Sequence, residues 1–373
     1  MHFEGKKAPK ARGRGALTTK VVASRCRFGI ASDIVCNGGE ILTKLYCLVT
    51  SLVTSLVLVG TFFSVGAYSQ GSAPPALPQG NTGIAASYPN DAGIAANPNV
   101  LFADGFETYT TPTQLTSSGH YDNYYAQQDF AIDATTFSGG AKSLRMRMPQ
   151  SSAEISNGLA KNISPTLDSM YMRVYTRFQP TYTGINSAHN GLRITGNYQG
   201  PGVIPNGKDF FLVNIENSLF RGEADPGYTH AYVYQPEQTD LYGESWYTDG
   251  VVTNGAYNFG PFFVTRANVN PTRGAWICVE MLVQLNTPGL RDGRVATWQN
   301  GVLIGDWQNI RFRDVTTLKI DQIELDNGGQ GSTQQNDKWY DNLVIAKSYI
   351  GPMVSSVNTA PTAPTNLRIA SGA

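Results

Sequence analysis

From Ile277 to Leu285 the hydrophobic positions fall on every second residue. Ile277, Val279, Met281, Val283 and Leu285 point one way, and Trp276, Cys278, Glu280, Leu282 and Gln284 the other. A period of two marks a β-strand, because successive side chains leave opposite faces of the pleat. Thr287-Pro288-Gly289 breaks the run, and two more runs, Arg294 to Trp298 and Val302 to Trp307, flank Asn300-Gly301. Asn-Gly favours a type I′ turn, so this stretch predicts a strand, a loop and a tight hairpin. Ser169 to Phe178 repeats the alternation, with Met170, Met172, Val174 and Phe178 against Tyr171, Arg173, Tyr175 and Arg177. Tyr228 to Tyr234 sets Tyr228, His230, Tyr232 and Tyr234 against Thr229, Ala231 and Val233. Shorter runs lie at 100–107, 142–148, 191–195, 209–216, 310–313, 318–325 and 338–346. About a dozen closely spaced strands, with no sustained 3.6-residue pattern, predict an all-β fold: a two-sheet antiparallel β-sandwich of jelly-roll type.

Composition agrees. The 373 residues include 39 Gly, 19 Tyr and 16 Phe, and only 15% are charged, which suits strands joined by many turns. The formal net charge of zero hides an asymmetry. Residues 1–69 carry nine Lys/Arg and three acids, which leaves residues 70–373 at a net −6. That balance disfavours nucleic acid as a partner. Leu45 to Tyr68 is apolar and nearly uncharged, follows Lys44, and ends in Ala67-Tyr68-Ser69 ahead of Gln70. A basic flank, an apolar core and a small-x-small exit predict a secretory signal; the alternative is a membrane anchor, since about 20 apolar residues span a bilayer. The expected location is therefore secreted or cell-envelope, with membrane contact only through this segment if it is not cleaved.

Cys26, Cys36 and Cys47 lie in that removable part, and Cys278 is left alone, so neither an internal disulfide nor a zinc site is expected. Residues 70–98 are rich in Gly, Ala, Pro and Asn and read as a linker. Residues 99–352 form the expected jelly-roll domain. Residues 353–373, ending TAPTAPTNLRIASGA, read as a Thr/Pro-rich tail.

Several strings resemble secreted bacterial proteins of the concanavalin A-like lectin/glucanase superfamily, near its polysaccharide-lyase members of heparin-lyase-I and glucuronan-lyase type. They are LFADGFE at 101–107, MYMRVYTRF at 170–178, the W-x-x-V-E-x-x-V-x-L-N-T-P-G run at 276–289, WQNG at 298–301 and KWYDNLVIAKSYIGP at 338–352. The resemblance covers about residues 83–352. It implies the jelly roll and a polysaccharide partner. A structural calcium ion joining the first and last strands is also implied, with Asp104, Glu107 and Asp341 in the matching strings as oxygen ligands.

A lyase acting on a uronic-acid polymer neutralises the sugar carboxylate, removes the proton alpha to it, and protonates the leaving oxygen. His189 and His230 are candidate bases, and Tyr232 or Tyr234 the acid. Asn190, Arg193 and Arg173 are candidates for the carboxylate clamp. Arg173 and Arg177, with Tyr171 and Tyr175 between them, suit an anionic chain through bidentate contacts and stacking, although the same alternation is ordinary on a solvent-facing sheet. Trp246 and Tyr247, with Trp298 and Tyr232, are candidate sugar platforms, which keeps a non-catalytic carbohydrate-binding domain as the alternative. Trp276 and Trp339 read as packing residues, and Asp326 to Asp337 as a flexible loop. A glycoside hydrolase is less favoured: Glu324-Leu325-Asp326 lacks the third acid of a glucanase strand, and Glu216 and Glu280 are acids with no evident partner.

Overall fold

The computed structural model describes residues 73–355. The basic stretch, the apolar leader or anchor and nearly all of the tail lie outside the described residues. Nineteen strands follow in chain order: β1 (Val100–Asp104), β2 (Asn123–Tyr125), β3 (Phe130–Asp133), β4 (Ser143–Met148), β5 (Ser151–Ile155), β6 (Gly158–Leu167), β7 (Ser169–Phe178), β8 (Ala188–His189), β9 (Leu192–Gly196), β10 (Phe211–Ser218), β11 (Tyr228–Tyr234), β12 (Glu244–Tyr247), β13 (Val252–Thr253), β14 (Ile277–Gln284), β15 (Gly293–Gln299), β16 (Val302–Ile310), β17 (Ile320–Asp326), β18 (Gly328–Ser332) and β19 (Asn336–Ala346).

The strands form two antiparallel eight-stranded sheets. The back sheet runs β16-β15-β14-β7-β19-β4-β3, with β1 also paired to β19; the front sheet runs β13-β12-β11-β10-β9-β17-β6-β2. A small third sheet, β5-β18-β8, flanks the front one. The β14–β16 stretch folds as its pattern predicts. Asn300 and Gly301 both take positive φ, 50° and 78°, as a type I′ turn requires. Ile277, Val279, Met281 and Val283 join Met170, Met172 and Val174 in one buried cluster with Val213, Ile215, Ala231, Val233, Ile323 and Leu325 of the front sheet. Each buried Ile, Leu, Val or Phe in this layer contributes roughly 1.5–3 kcal/mol. The sandwich therefore rests on the alternation itself.

The segment expected as a linker is instead strapped across the outward side of the back sheet. Arg294 donates to the carbonyl of Pro75 (2.9 Å) and the Trp298 indole to that of Pro78 (2.9 Å). Backbone N–H groups of Gly80, Ile84 and Ala85 bond to Gly301, Tyr349 and Ile350. Ile94 and Ala85 are buried in a cluster with Val344, Ala346 and Ile350. A Gly/Ala/Pro composition suits this course because the strap lies flat on a sheet where large side chains would not fit: a Cβ at Gly83 would come within 2.4 Å of the Ile350 carbonyl oxygen.

That strap decides the fate of the alternating Tyr/Arg face of β7. Arg173 is fully buried and ion-paired with Asp91, and it also donates to the Asn342 carbonyl (2.9 Å). Tyr171 packs against Trp298 and Tyr349, and the Tyr175 hydroxyl accepts the Met353 N–H (2.9 Å). Arg177 lies on the same face, opposite Trp339 of β19. Three of the four residues expected to hold an anionic chain are therefore covered at the back of the molecule, and Arg177 shares their face. Glu280 is there too, accepting the N–H groups of Ile350 (2.7 Å) and Gly351 (2.9 Å). Burial pushes its carboxyl up to about 7.

Candidate active site

The outward face of the front sheet carries a groove of about 1300 Å³. Its floor, and the buried layer just beneath it, come from the polar half of the alternation whose apolar half makes the core. On β10, Asn214 and Glu216 alternate with Val213 and Ile215; on β9, Arg193 and Thr195 alternate with Leu192 and Ile194; on β17, Glu324 and Asp326 alternate with Ile323 and Leu325. The pairing register brings these together, with Asn214 opposite both Tyr232 and Arg193, Glu216 opposite His230, and Arg193 opposite Glu324.

His189 enters from β8 of the flanking sheet, where it pairs with Gly328. Its Nδ1 lies 3.1 Å from Glu216 Oε2. A carboxylate only accepts, so Nδ1 carries the hydrogen, and in the neutral ring the lone pair is then on Nε2. Glu216 also accepts from Asn214 Nδ2 (2.7 Å). Burial works to raise the Glu216 carboxyl, but the charge and hydrogen bond of His189, followed by those of His230, prevail and hold it below its ordinary value. Glu216 is therefore an anion that orients His189. The side chain of His189 is 31% exposed and lines the groove.

Tyr232 stands beside it, ring centroids 5.2 Å apart. Its hydroxyl accepts the Gly243 N–H (3.0 Å) and donates to Tyr234 Oη (3.5 Å). Burial, then Tyr234, then the Glu216 charge push the Tyr232 hydroxyl above its ordinary value. It keeps its proton at neutral pH, as a proton donor must. Arg193 reaches Glu324 Oε2 through Nη1 (3.1 Å) and Asp326 Oδ2 through Nη2 (2.7 Å). Burial drives Asp326 well above its ordinary value; Arg193 pulls it back, and Glu324 pushes it up again. Both carboxylates lean over Gly158, where a Cβ would come within 2.1 Å of Glu324 Oε1 and 3.0 Å of Asp326 Oδ1. The close approach requires glycine.

Of the residues expected to be catalytic, His189, Tyr232, Tyr234 and Arg193 line this groove. His230 does not reach it. It is fully buried, its Nδ1 donates to the Tyr228 carbonyl (3.1 Å), and its Nε2 faces Glu216 Oε1 at 3.5 Å. It lies against Glu216, away from the groove, and is not a base for a polymer. Tyr247 stacks on it (5.0 Å) and is likewise buried, so Tyr247 is not a sugar platform. Asn190 is no clamp: it donates to the Asn217 carbonyl and accepts the Asn217 N–H, both at 2.9 Å. Trp246 faces the core against Tyr257 (4.7 Å) and Phe259 (5.2 Å), because a distant loop covers that side of its strand. The 326–337 stretch, expected as a loop, carries β18 and holds β8 in place.

Each of the three carboxylates expected to bind calcium accepts hydrogen bonds from the protein. Asp104 accepts from the Phe106 N–H (2.8 Å) and the Tyr109 hydroxyl (2.7 Å). Glu107 accepts the N–H groups of Ala141 (2.9 Å) and Lys142 (3.1 Å); Asp341 accepts those of Ser138 (2.7 Å) and Gly139 (3.1 Å). The cation in this corner is the Lys142 ammonium, which takes the carbonyls of Glu107 and Tyr109 at 2.8 Å each. Among the described residues, no group of three or more His, Cys, Asp or Glu side chains could hold a metal.

Residues 219–342 match the family model described as polysaccharide lyase 14. No curated protein matches the chain. Among solved structures, the alginate lyase Aly36B, as a double mutant with an alginate trisaccharide, is 17% identical with a TM-score of 0.51 over 68% of this chain and 99% of its own. A second structure of the alginate lyase Aly36B gives 17% and 0.50 over 67% and 98%. The PL-14 alginate lyase of Aplysia kurodai gives 13% and 0.49 over 66% and 98%. The β-sandwich expected from the alternation is thus the fold of a known polysaccharide lyase, and the polysaccharide-lyase resemblance read from the strings stands.

Proposed function

We propose that this chain is a polysaccharide lyase that cleaves a uronic-acid-containing polymer by β-elimination. The observation that carries the reading is the His189–Glu216 pair beside the protonated Tyr232 in the groove of a lyase-type sandwich. The family match over 219–342 and the named activities of the similar structures support it. The uronate carboxylate lies toward Arg193, the guanidinium of the groove floor. His189 Nε2 takes the proton alpha to that carboxylate, and Glu216 stabilises the imidazolium that results. The electron pair of the broken C–H bond forms the new C=C bond and expels the glycosidic oxygen, which takes its proton from Tyr232 Oη. Base and acid stand on one wall, so both events occur on one face of the sugar. Export, expected from residues 45–68, agrees with a substrate too large to enter a cell.

The test is incubation of the purified protein with uronate polymers while the absorbance of the unsaturated uronate product is followed. A rise that is lost in His189→Ala supports the reading. Retention of polymer with no new absorbance refutes it in favour of a binding domain.

A further inference from the structure

The lining of the groove has a charge balance that a polyuronate site does not call for. Glu154, Asp321, Glu324 and Asp326 line it, and Arg193 is the one Lys or Arg that does so among the described residues. Arg193 is already bonded to two of those carboxylates. Even with Asp326 protonated, three carboxylates face one guanidinium. A homopolyuronate would bring a further negative charge with every sugar, and like charges at groove distances in a wet site repel measurably. Carboxylates do, however, accept hydrogen bonds from neutral sugar hydroxyls. A second observation points the same way. Tyr125, Phe220 and Tyr242 line the groove and are 46%, 42% and 54% exposed. Flat exposed rings suit the C–H faces of uncharged pyranoses.

We infer that the substrate is a heteropolymer in which uronates are separated by neutral sugars: one uronate sits between His189, Tyr232 and Arg193, and the neighbouring subsites, walled by carboxylates and aromatic rings, take neutral residues. This rests on the lyase reading above and narrows its substrate class.

The experiment compares kcat/KM of the full chain on alginate and glucuronan, whose sugars are all uronates, with hyaluronan and gellan, in which neutral sugars intervene. Each reaction is run at low and moderate salt, and affinity electrophoresis in each polymer measures retention independently of cleavage. The expected result is faster cleavage and stronger retention of the mixed polymers. Any cleavage of the homopolyuronates should speed up with salt, since screening relieves a repulsion. In the Glu154→Gln/Asp321→Asn double variant, the ratio of homopolyuronate to mixed-polymer kcat/KM should rise roughly tenfold, at about threefold for each charge removed. Homopolyuronates cut as fast or faster, with salt slowing the reaction, overturn the inference. If no polymer is cut but the mixed class is retained more strongly, the lyase chemistry fails and the recognition holds. Retention that favours homopolyuronates, or no retention of either class, overturns the inference as well.

Discussion

Lys338 is a lysine inside a β-sandwich. It sits on β19 with its chain fully buried, its ammonium over the rings of Phe178 (4.1 Å) and Tyr340 (5.2 Å) and bonded to the carbonyl of Asn190. Burial lowers its pKa from the ordinary 10.5 to about 7, with Asp326 and Glu216 opposing the shift. The gap corresponds to about 5 kcal/mol of penalty on the charged form. The sign follows from proton binding. Between about 7 and 10.5 the unfolded chain holds a proton that the folded chain has lost, so stability rises with pH there by up to about 1.4 kcal/mol per pH unit. Below about 7 the full penalty applies. Lys338→Met removes it, but also leaves the Asn190 carbonyl without its donor, at about 1–3 kcal/mol, and ends the cation–π contacts, at about 1 kcal/mol. The variant should therefore be about 1–3 kcal/mol more stable than the parent near pH 6, and less stable by a similar amount near pH 10.5. Urea midpoints measured across this range check it. Parallel curves for the two proteins would refute the reasoning, because they would mean that Lys338 titrates alike in the folded and unfolded chains.

Other outcomes are equally specific. Glu216→Gln, which weakens the bond that orients His189, should lower kcat about 10- to 100-fold with little change in KM, measured by the unsaturated product; an unaltered kcat would remove Glu216 from the mechanism. Tyr232→Phe should lower kcat at least about 100-fold and reduce stability by only about 1 kcal/mol, from the lost Gly243 bond. A modest loss of rate would hand the acid role to another group. Arg173→Met leaves the half-buried Asp91 unpaired, so unfolding should become about 3 kcal/mol easier while kcat holds. A fall in kcat at constant melting temperature would restore Arg173 to the substrate.

Period two declared the strands and their two faces, and Asn300-Gly301 declared the hairpin register, so the sandwich was legible. Alternation does not say what covers an outward face, and this is where the expected site residues divided. The Tyr/Arg face of β7 and the His/Tyr face of β11 look alike in sequence; a strap from 73–99 lies over the first, while Tyr232 and Tyr234 of the second line a groove. Trp246 was misplaced for the same reason: Tyr257 and Phe259 reach it from a loop that its own strand does not announce. Strand β6 contains Ser164-Pro165 and several polar residues, and it is a strand because β17 and β2 hold it on either side. The pairing of His189 with Glu216 spans 27 residues and depends on β8 meeting β18, a contact without local pattern. The available hint was Glu216 itself, an acid two residues from Asn214 on the polar side of a strand whose other side is Val213 and Ile215.

The strap also bears on how the protein can be cut down. Trimming it at residue 99, where composition alone would place the start of the folded unit, discards the counter-ion of Arg173, one acceptor of Arg294, that of the Trp298 indole, and the lid over Val344 and Ile350. A shortened gene should begin at or before codon 73. One that begins at 99 yields a polypeptide whose rear wall is an open, sticky sheet with a stranded guanidinium in its middle.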